Sequence, residues 1–272
     1  MAKKKKFRLL DAVLATVCIT LVVESVAPTA AIGNSQYFWW LLLIAGFCVP
    51  YGMITAELGT TYPSEGGMYD WVKKAFGEKW ASRVAWNYWI NFPLWIASLA
   101  VAVTDVVAGI FGVELSLIWL LVLQLGYTWL VCFLGTRRVT DTKYLVNLGT
   151  VFKVVFVLAL GALGIYTFIK TGESANPIKS VSDLLPSLDL AGLSFVSIII
   201  FNFLGFEVVG TFVDDMENPK KDIPKALVVG GILMALFYIL PATGVNVSMS
   251  LEDAEVASIT ESFAILLTNL GV

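Results

Sequence analysis

The stretch LLDAVLATVCITLVVESVAPTAAIG (Leu9–Gly33) is one long apolar run with a carboxylate, Glu24, and a proline, Pro28, set inside it. About 20 predominantly apolar residues in a helix cross the roughly 30 Å hydrocarbon layer of a bilayer, so the stretch reads as a membrane span. A proline lacks a backbone donor and its ring clashes with the carbonyl one turn back. A break is therefore predicted between about Thr20 and Pro28. A charge in mid-span costs on the order of 2.5 to 3.5 kcal/mol on insertion scales, so Glu24 asks for a reason.

Six further apolar runs follow: Trp39–Tyr62, Val84–Phe111, Leu115–Leu134, Tyr144–Ile169, Ala191–Val213 and Ala226–Ser248. A shorter one, Ser262–Val272, stops too soon to cross. With 58% of the 272 residues apolar and 14% charged, the bilayer is the expected solvent and the fold class is an all-α membrane protein. The sixth run contains Phe201-Asn202-Phe203-Leu204-Gly205-Phe206-Glu207, a glycine beside a buried acid, which predicts a second interruption. Two broken helices offer free N–H groups at one break and free carbonyls at the other. Those are the complements of a carboxylate and an ammonium, the two groups of a free amino acid.

Asp105 and Lys153 are the other charges within spans. Asp105 is near the outer end of its span, where water reaches it. Lys153 lies about ten residues beyond the basic cluster Arg137, Arg138 and Lys143, about 15 Å deep, and is expected to face the bundle interior. Joined in order with a cytoplasmic N-terminus, the spans put 15 of 18 basic residues on that side: Lys3, Lys4, Lys5, Lys6, Arg8, Lys73, Lys74, Lys79, Arg83, Arg137, Arg138, Lys143, Lys220, Lys221 and Lys225. This is the positive-inside pattern, and it disfavours a seven-span receptor, whose N-terminus lies outside. Trp39 and Trp40 read as anchors at the outer interface. The absence of histidine removes the commonest metal ligand and general base, so metal catalysis and triad hydrolysis are disfavoured. Cys18, Cys48 and Cys132 all lie in apolar spans, where no disulfide is expected.

Two loops carry a family resemblance. Ala56-Glu57-Leu58-Gly59-Thr60-Thr61-Tyr62-Pro63-Ser64-Glu65-Gly66-Gly67-Met68-Tyr69, running on to Phe76-Gly77, follows the second span. Glu217-Asn218-Pro219-Lys220-Lys221-Asp222-Ile223-Pro224-Lys225-Ala226 follows the sixth. Both resemble signatures of the amino acid/polyamine/organocation transporter superfamily, in particular its bacterial amino acid permeases and exchangers. The resemblance implies a LeuT-like inverted repeat of five plus five helices, with the first and sixth discontinuous. It implies that Phe201 is the aromatic gate, that Leu204 and Gly205 form the unwound turn, and that Glu207 is the buried acid after it. It also implies that Lys153 is similar to a fifth-helix lysine whose ammonium, in some members, takes the place of a structural sodium ion. Many relatives carry Gly-Ser-Gly in the first helix to receive a substrate carboxylate. Thr20-Leu21-Val22-Val23-Glu24-Ser25 stands here instead, and an acid followed by a proline is similar to the glutamate/GABA exchanger branch.

The expected organisation is a cytoplasmic basic N-terminus (1–8), a first five-helix repeat (9–170), an extracellular loop (171–190) and the start of a second, inverted repeat (191–272). Seven spans make this an incomplete carrier, a fragment or truncated product. The expected activity is sodium-independent secondary transport of an amino acid or related amine across the cytoplasmic membrane, driven by protons or exchange; a sensor that binds without transport is the alternative. Thr20, Val23, Glu24, Ser25, Phe201, Asn202, Leu204 and Gly205 are the substrate-binding candidates, with Lys153 and Glu207 coupling protons. No enzyme activity, cofactor, metal or nucleic acid is expected. The partners are the small-molecule substrate and membrane lipid, with homo-oligomerisation left open.

Overall fold

The computed structural model describes residues 7–186, 190–256 and 259–271. The basic run Lys3–Lys6, residues 187–189 of the expected extracellular loop and Val272 lie outside the described residues. The described chain is helical, with six helices long and apolar enough to cross a membrane. A bent pair, Leu9–Thr20 and Val23–Ala30, makes a seventh if it is taken as one span. The protein is a multi-span, all-α membrane protein.

Residues 64–142 form one compact unit. It holds α5 (Met68–Phe76), α6 (Glu78–Phe111) and α7 (Leu117–Gly135). The short α5 is amphipathic, burying Trp71 and placing Lys73 and Lys74 in its last turn, where positive charge suits the helix dipole. The third span starts at Glu78 rather than Val84, because Glu78 to Arg83 continue the helix beyond its apolar part. No residue of α7 is buried within the described structure, and Leu117, Trp119 and Trp129 are among its exposed side chains. In a bilayer such a surface has no water to avoid.

Residues 7–63 and 143–271 form the other unit. It holds α1 (Leu9–Thr20), α2 (Val26–Ala30), α3 (Gln36–Leu43), α4 (Val49–Thr61), α8 (Val139–Thr171, from Lys143 on), α9 (Leu190–Asn202), α10 (Pro219–Ser248), α11 (Leu251–Val256) and α12 (Ile259–Leu270). The second span is continuous from Gly33 to Thr61, but Ile44–Cys48 widens into a π-helix, a local insertion often found at functional positions. The sixth span is not one interrupted α-helix. After α9 and a turn, Phe206–Asp215 is a 3₁₀-helix, unusually long for that geometry.

α10 is the centre of this unit, packing on α1, α2 and α4. It meets α8 through small residues: a Cβ added to Gly164 would sit 2.3 Å from the carbonyl oxygen of Gly244, and one on Gly161 would sit 3.0 Å from Pro241 Cα. Backbones this close need glycine on both helices. At the start of α1 the chain is tied twice. Phe7 N donates to Asp215 O (2.9 Å), Glu217 N donates to Phe7 O (3.2 Å), and the Phe7 ring meets Phe212 at 5.2 Å. One turn on, Lys143 Nζ is 2.7 Å from Asp11 Oδ2 and Asn147 Nδ2 is 2.9 Å from Oδ1. The sequence puts Lys143 in a basic cluster on the cytoplasmic side. In the structure its side chain is buried against Asp11, since a buried cation persists where a buried acid answers it. Trp39 and Trp40 also depart from expectation: both are buried, Trp40 completely, rather than anchored in the outer interface.

Candidate functional site

The break in the first span forms where expected. The last helical bond of α1 runs from Leu21 N to Val17 O (2.8 Å). Leu21 and Val22 are then extended (φ −80, ψ 97; φ −93, ψ 98), a conformation that suits the β-branched Val22. Val23–Ser25 form a 3₁₀ turn and α2 begins at Val26, the two halves bent by 49°. Pro28 lies in the first turn of α2, where its missing N–H would have no helical partner in any case.

Freed backbone groups in a membrane interior must find partners. Two distant side chains provide them. Lys153 Nζ on α8 donates to Cys18 O and Leu21 O, each at 3.0 Å. The Tyr238 hydroxyl on α10 donates to Thr20 O (2.9 Å) and accepts from Val22 N (2.7 Å). Ser25 N donates to Val22 O (3.2 Å). Of the N–H groups expected to receive a substrate carboxylate, those of Val22 and Ser25 are therefore engaged within the protein.

The sixth-span break closes locally. Phe203 N donates to Ile200 O and Leu204 N to Phe201 O, both at 3.0 Å. Gly205 has φ +111, a region closed to other residues without strain. Its N–H donates to Glu207 Oε2 at 3.1 Å, and the same oxygen accepts from the Tyr51 hydroxyl. Glu207 is 6% exposed. A Cβ on Gly205 would lie 2.9 Å from Ile19 Cγ2 and 3.3 Å from Thr20 Cγ2. The glycine thus serves both the turn and its approach to the end of α1.

The breaks are joined at Ser25 and Asn202, whose side-chain oxygens are 2.8 Å apart. Asn202 is fully buried, and its Nδ2 has no partner among the described residues. Glu24, one residue before Ser25, is exposed, whereas Val23 is buried. Thr20 is buried, and its hydroxyl is spent on Thr16 O (2.8 Å) of its own helix. Phe201 and Leu204 are each 44% exposed, whereas Phe203 and Phe206 at this break are buried. Phe203 meets the edge of Trp40 at 5.5 Å, and Trp40 stacks on Tyr238 at 5.2 Å. Asp105 is exposed and belongs to the other unit.

The places of Trp40, Tyr51, Phe203 and Tyr238 at the breaks are not visible in the sequence. Aromatics are common in apolar spans, and nothing local sets these apart. Tyr238 could be sought by asking which mid-span hydroxyl serves a broken helix, but several spans carry a tyrosine.

The sequence pattern of the amino acid permease family matches residues 7–272. The chain belongs to that family. It is therefore a member of a transporter family rather than an enzyme. It is 46% identical over 265 residues to a probable agmatine/putrescine antiporter of Lactococcus lactis subsp. lactis, covering 97% of this chain and 56% of the relative. It is 28% identical to an L-methionine/branched-chain amino acid exporter of Escherichia coli, over 79% of this chain and 49% of the exporter. A probable polyamine transporter of Arabidopsis thaliana is 28% identical over 79% of this chain and 44% of its own length. The chain thus spans about half the length of the curated relatives it matches.

Proposed function

We propose that the full-length protein is a secondary carrier exchanging an amino acid or related amine across the cytoplasmic membrane. The observation that carries this reading is the meeting of two broken spans at Ser25 and Asn202, with one break capped by side chains of other helices. A binding site of this kind near the midplane can be closed from either side by rocking the helices around it, which is alternating access. The names of the similar proteins support amine or amino acid transport, and an antiporter stands among them. The basic residues favour a cytoplasmic N-terminus. The family resemblance favours an inverted repeat, with residues 9–170 as its first half.

The carrier is sodium-independent on this reading. The Lys153 ammonium already bonds the carbonyls of Cys18 and Leu21. A second cation beside it at low dielectric would cost several kcal/mol at contact distance. Loss and regain of the Lys153 proton would loosen and tighten α1 against α8, and Glu207 would hold or release a proton at the other break.

The test is counterflow of labelled putrescine, and of labelled amino acids, into proteoliposomes containing the full-length protein. Accumulation against unlabelled internal substrate, unchanged when sodium is replaced by choline, is expected. Accumulation that requires a sodium gradient overturns the coupling scheme. Binding without accumulation of any amine or amino acid overturns transport in favour of a sensor.

A further inference from the structure

α4 and α10 pack together, but they do not close on one another along their whole length. Between them lies an apolar groove of about 720 Å³. Its walls are residues between Ile44 and Glu57 on one side and between Pro224 and Ala235 on the other, and Phe206 also lines it. That volume falls within the roughly 300 to 1,000 Å³ of small-molecule sites. Glycine accounts for the hollow. A Cβ added to Gly52 would meet no atom within 4 Å, and one added to Gly231 would touch only Phe206 Cζ, at 3.9 Å. At Gly164 and Gly244 glycine lets two backbones touch; here it leaves space.

The groove has the length and polarity of one leaflet of a bilayer. Pro224 to Ala235 is about 16 Å of helix, against about 15 Å for the hydrocarbon of a single leaflet, half of the roughly 30 Å core. Beyond Pro224 the same face of α10 carries Lys221 and Lys220, one turn earlier, and Lys225 stands one turn before the groove residue Val228. All three lysines are exposed, and among the described residues none of them forms an ion pair. Lys220 and Lys221 also line a second cavity, of about 570 Å³, together with Pro63, Asp214, Glu217 and Asn218. This is the end that the excess of basic residues assigns to the cytoplasm. Of the carboxylates there, Glu217 is met by Arg8 Nε at 3.8 Å, and Asp222, two residues before Pro224, falls on the other side of α10. Glu57 and Asp214 remain against three ammonium groups. The surplus of positive charge suits a phosphate diester, and basic pockets between spans on the cytoplasmic side are suited to anionic headgroups.

We propose that this groove is a lipid site: one acyl chain of an anionic phospholipid of the cytoplasmic leaflet lies between α4 and α10, and its phosphate is held by Lys220, Lys221 and Lys225. Phe206 directly follows Gly205, so the seated chain abuts the turn of the sixth break. The site is distinct from the meeting of Ser25 and Asn202 and does not depend on what the protein carries.

The probe is a phosphatidylglycerol with a diazirine midway along one acyl chain, compared with a diacylglycerol bearing the same chain and no phosphate. Each is placed at equal mole fraction in nanodiscs holding the full-length protein, and the photolabelled residues are mapped by peptide mass spectrometry. Phosphatidylglycerol labels residues 49–56 and 228–235, at least about tenfold more than diacylglycerol. Replacing all three lysines (Lys220→Gln, Lys221→Gln, Lys225→Gln) brings it down to the diacylglycerol level. Gly52→Leu, whose side chain enters open space, lowers labelling of both segments at least about fivefold. Should the triple variant fail to fold, the single lysine variants decide, each losing at least about half of the labelling. Equal labelling by the two probes, or labelling unchanged by the lysine variants or by Gly52→Leu, overturns the proposal. Labels confined to other helices overturn it too, since the rest of the full-length chain would then cover the groove.

Discussion

The two broken spans are held by opposite means. The break in the first span leaves Cys18 O, Thr20 O, Leu21 O and Val22 N to be capped by Lys153 and Tyr238, whose helices lie far away in sequence. The backbone of the break in the sixth is capped from within: its own turns bond Ile200 O and Phe201 O, and its own Glu207, which Tyr51 also bonds, takes Gly205 N. A locally capped turn keeps its hydrogen bonds when the helix around it moves. A break capped from elsewhere keeps them only while α8 and α10 stay in place. The first span is thus the one whose conformation is coupled to its neighbours, and motion of α8 or α10 is felt there first.

Lys153→Ala strikes this difference hardest. It strands two carbonyls in an apolar interior, and about 1 to 3 kcal/mol for each gives a loss of about 2 to 6 kcal/mol. Thermal unfolding of the full-length protein in detergent measures it. Hydrogen exchange should rise at residues 18–26 and stay unchanged at 200–207; equal rises at both would break the distinction. Tyr238→Phe should cost less, about 1 to 3 kcal/mol. It strands Thr20 O and Val22 N, keeps the ring against Trp40, and should raise exchange at the same first break. Gly205→Ala tests the other side. The backbone at φ +111 and the contact with Ile19 make alanine unfavourable by about 1 to 2 kcal/mol, and its exchange signature should centre on residues 203–208.

The smallest effect is expected at Asp183, in a loop that touches neither break and is also locally capped. Its carboxylate accepts from Lys179 N (2.8 Å) and Ser180 N (3.0 Å), and these bonds lower its pKa below the ordinary 3.8. A lowered folded-state pKa means a stabilisation that is complete above the ordinary value and is lost as pH falls through the lowered one. NMR titration of the Asp183 carboxyl should give a midpoint below 3.8, while Asp183→Asn should leave global unfolding unchanged. A midpoint at or above the ordinary value would mean that the loop cap is absent in solution.

The existence of the spans and the positions of both breaks were legible in the residues, because each follows from chemistry that acts within one helical turn. Apolar runs of bilayer length demand helices, Pro28 forbids continuity near Glu24, and Gly205 beside a buried acid marks a turn. Lys153 was legible as a mid-span cation facing inward, but its targets, Cys18 O and Leu21 O, were not. Asp11 passed unnoticed near the start of a span, and its partner Lys143 read as one of a cytoplasmic basic cluster. Trp40 read as an interfacial anchor. The caps supplied by Tyr238, the Asp11–Lys143 pair and the stack of Trp40 on Tyr238 depend on which helix lies against which. That is decided by packing, as at Gly164 against Gly244, and packing is a property of the whole assembly that no single run of residues contains.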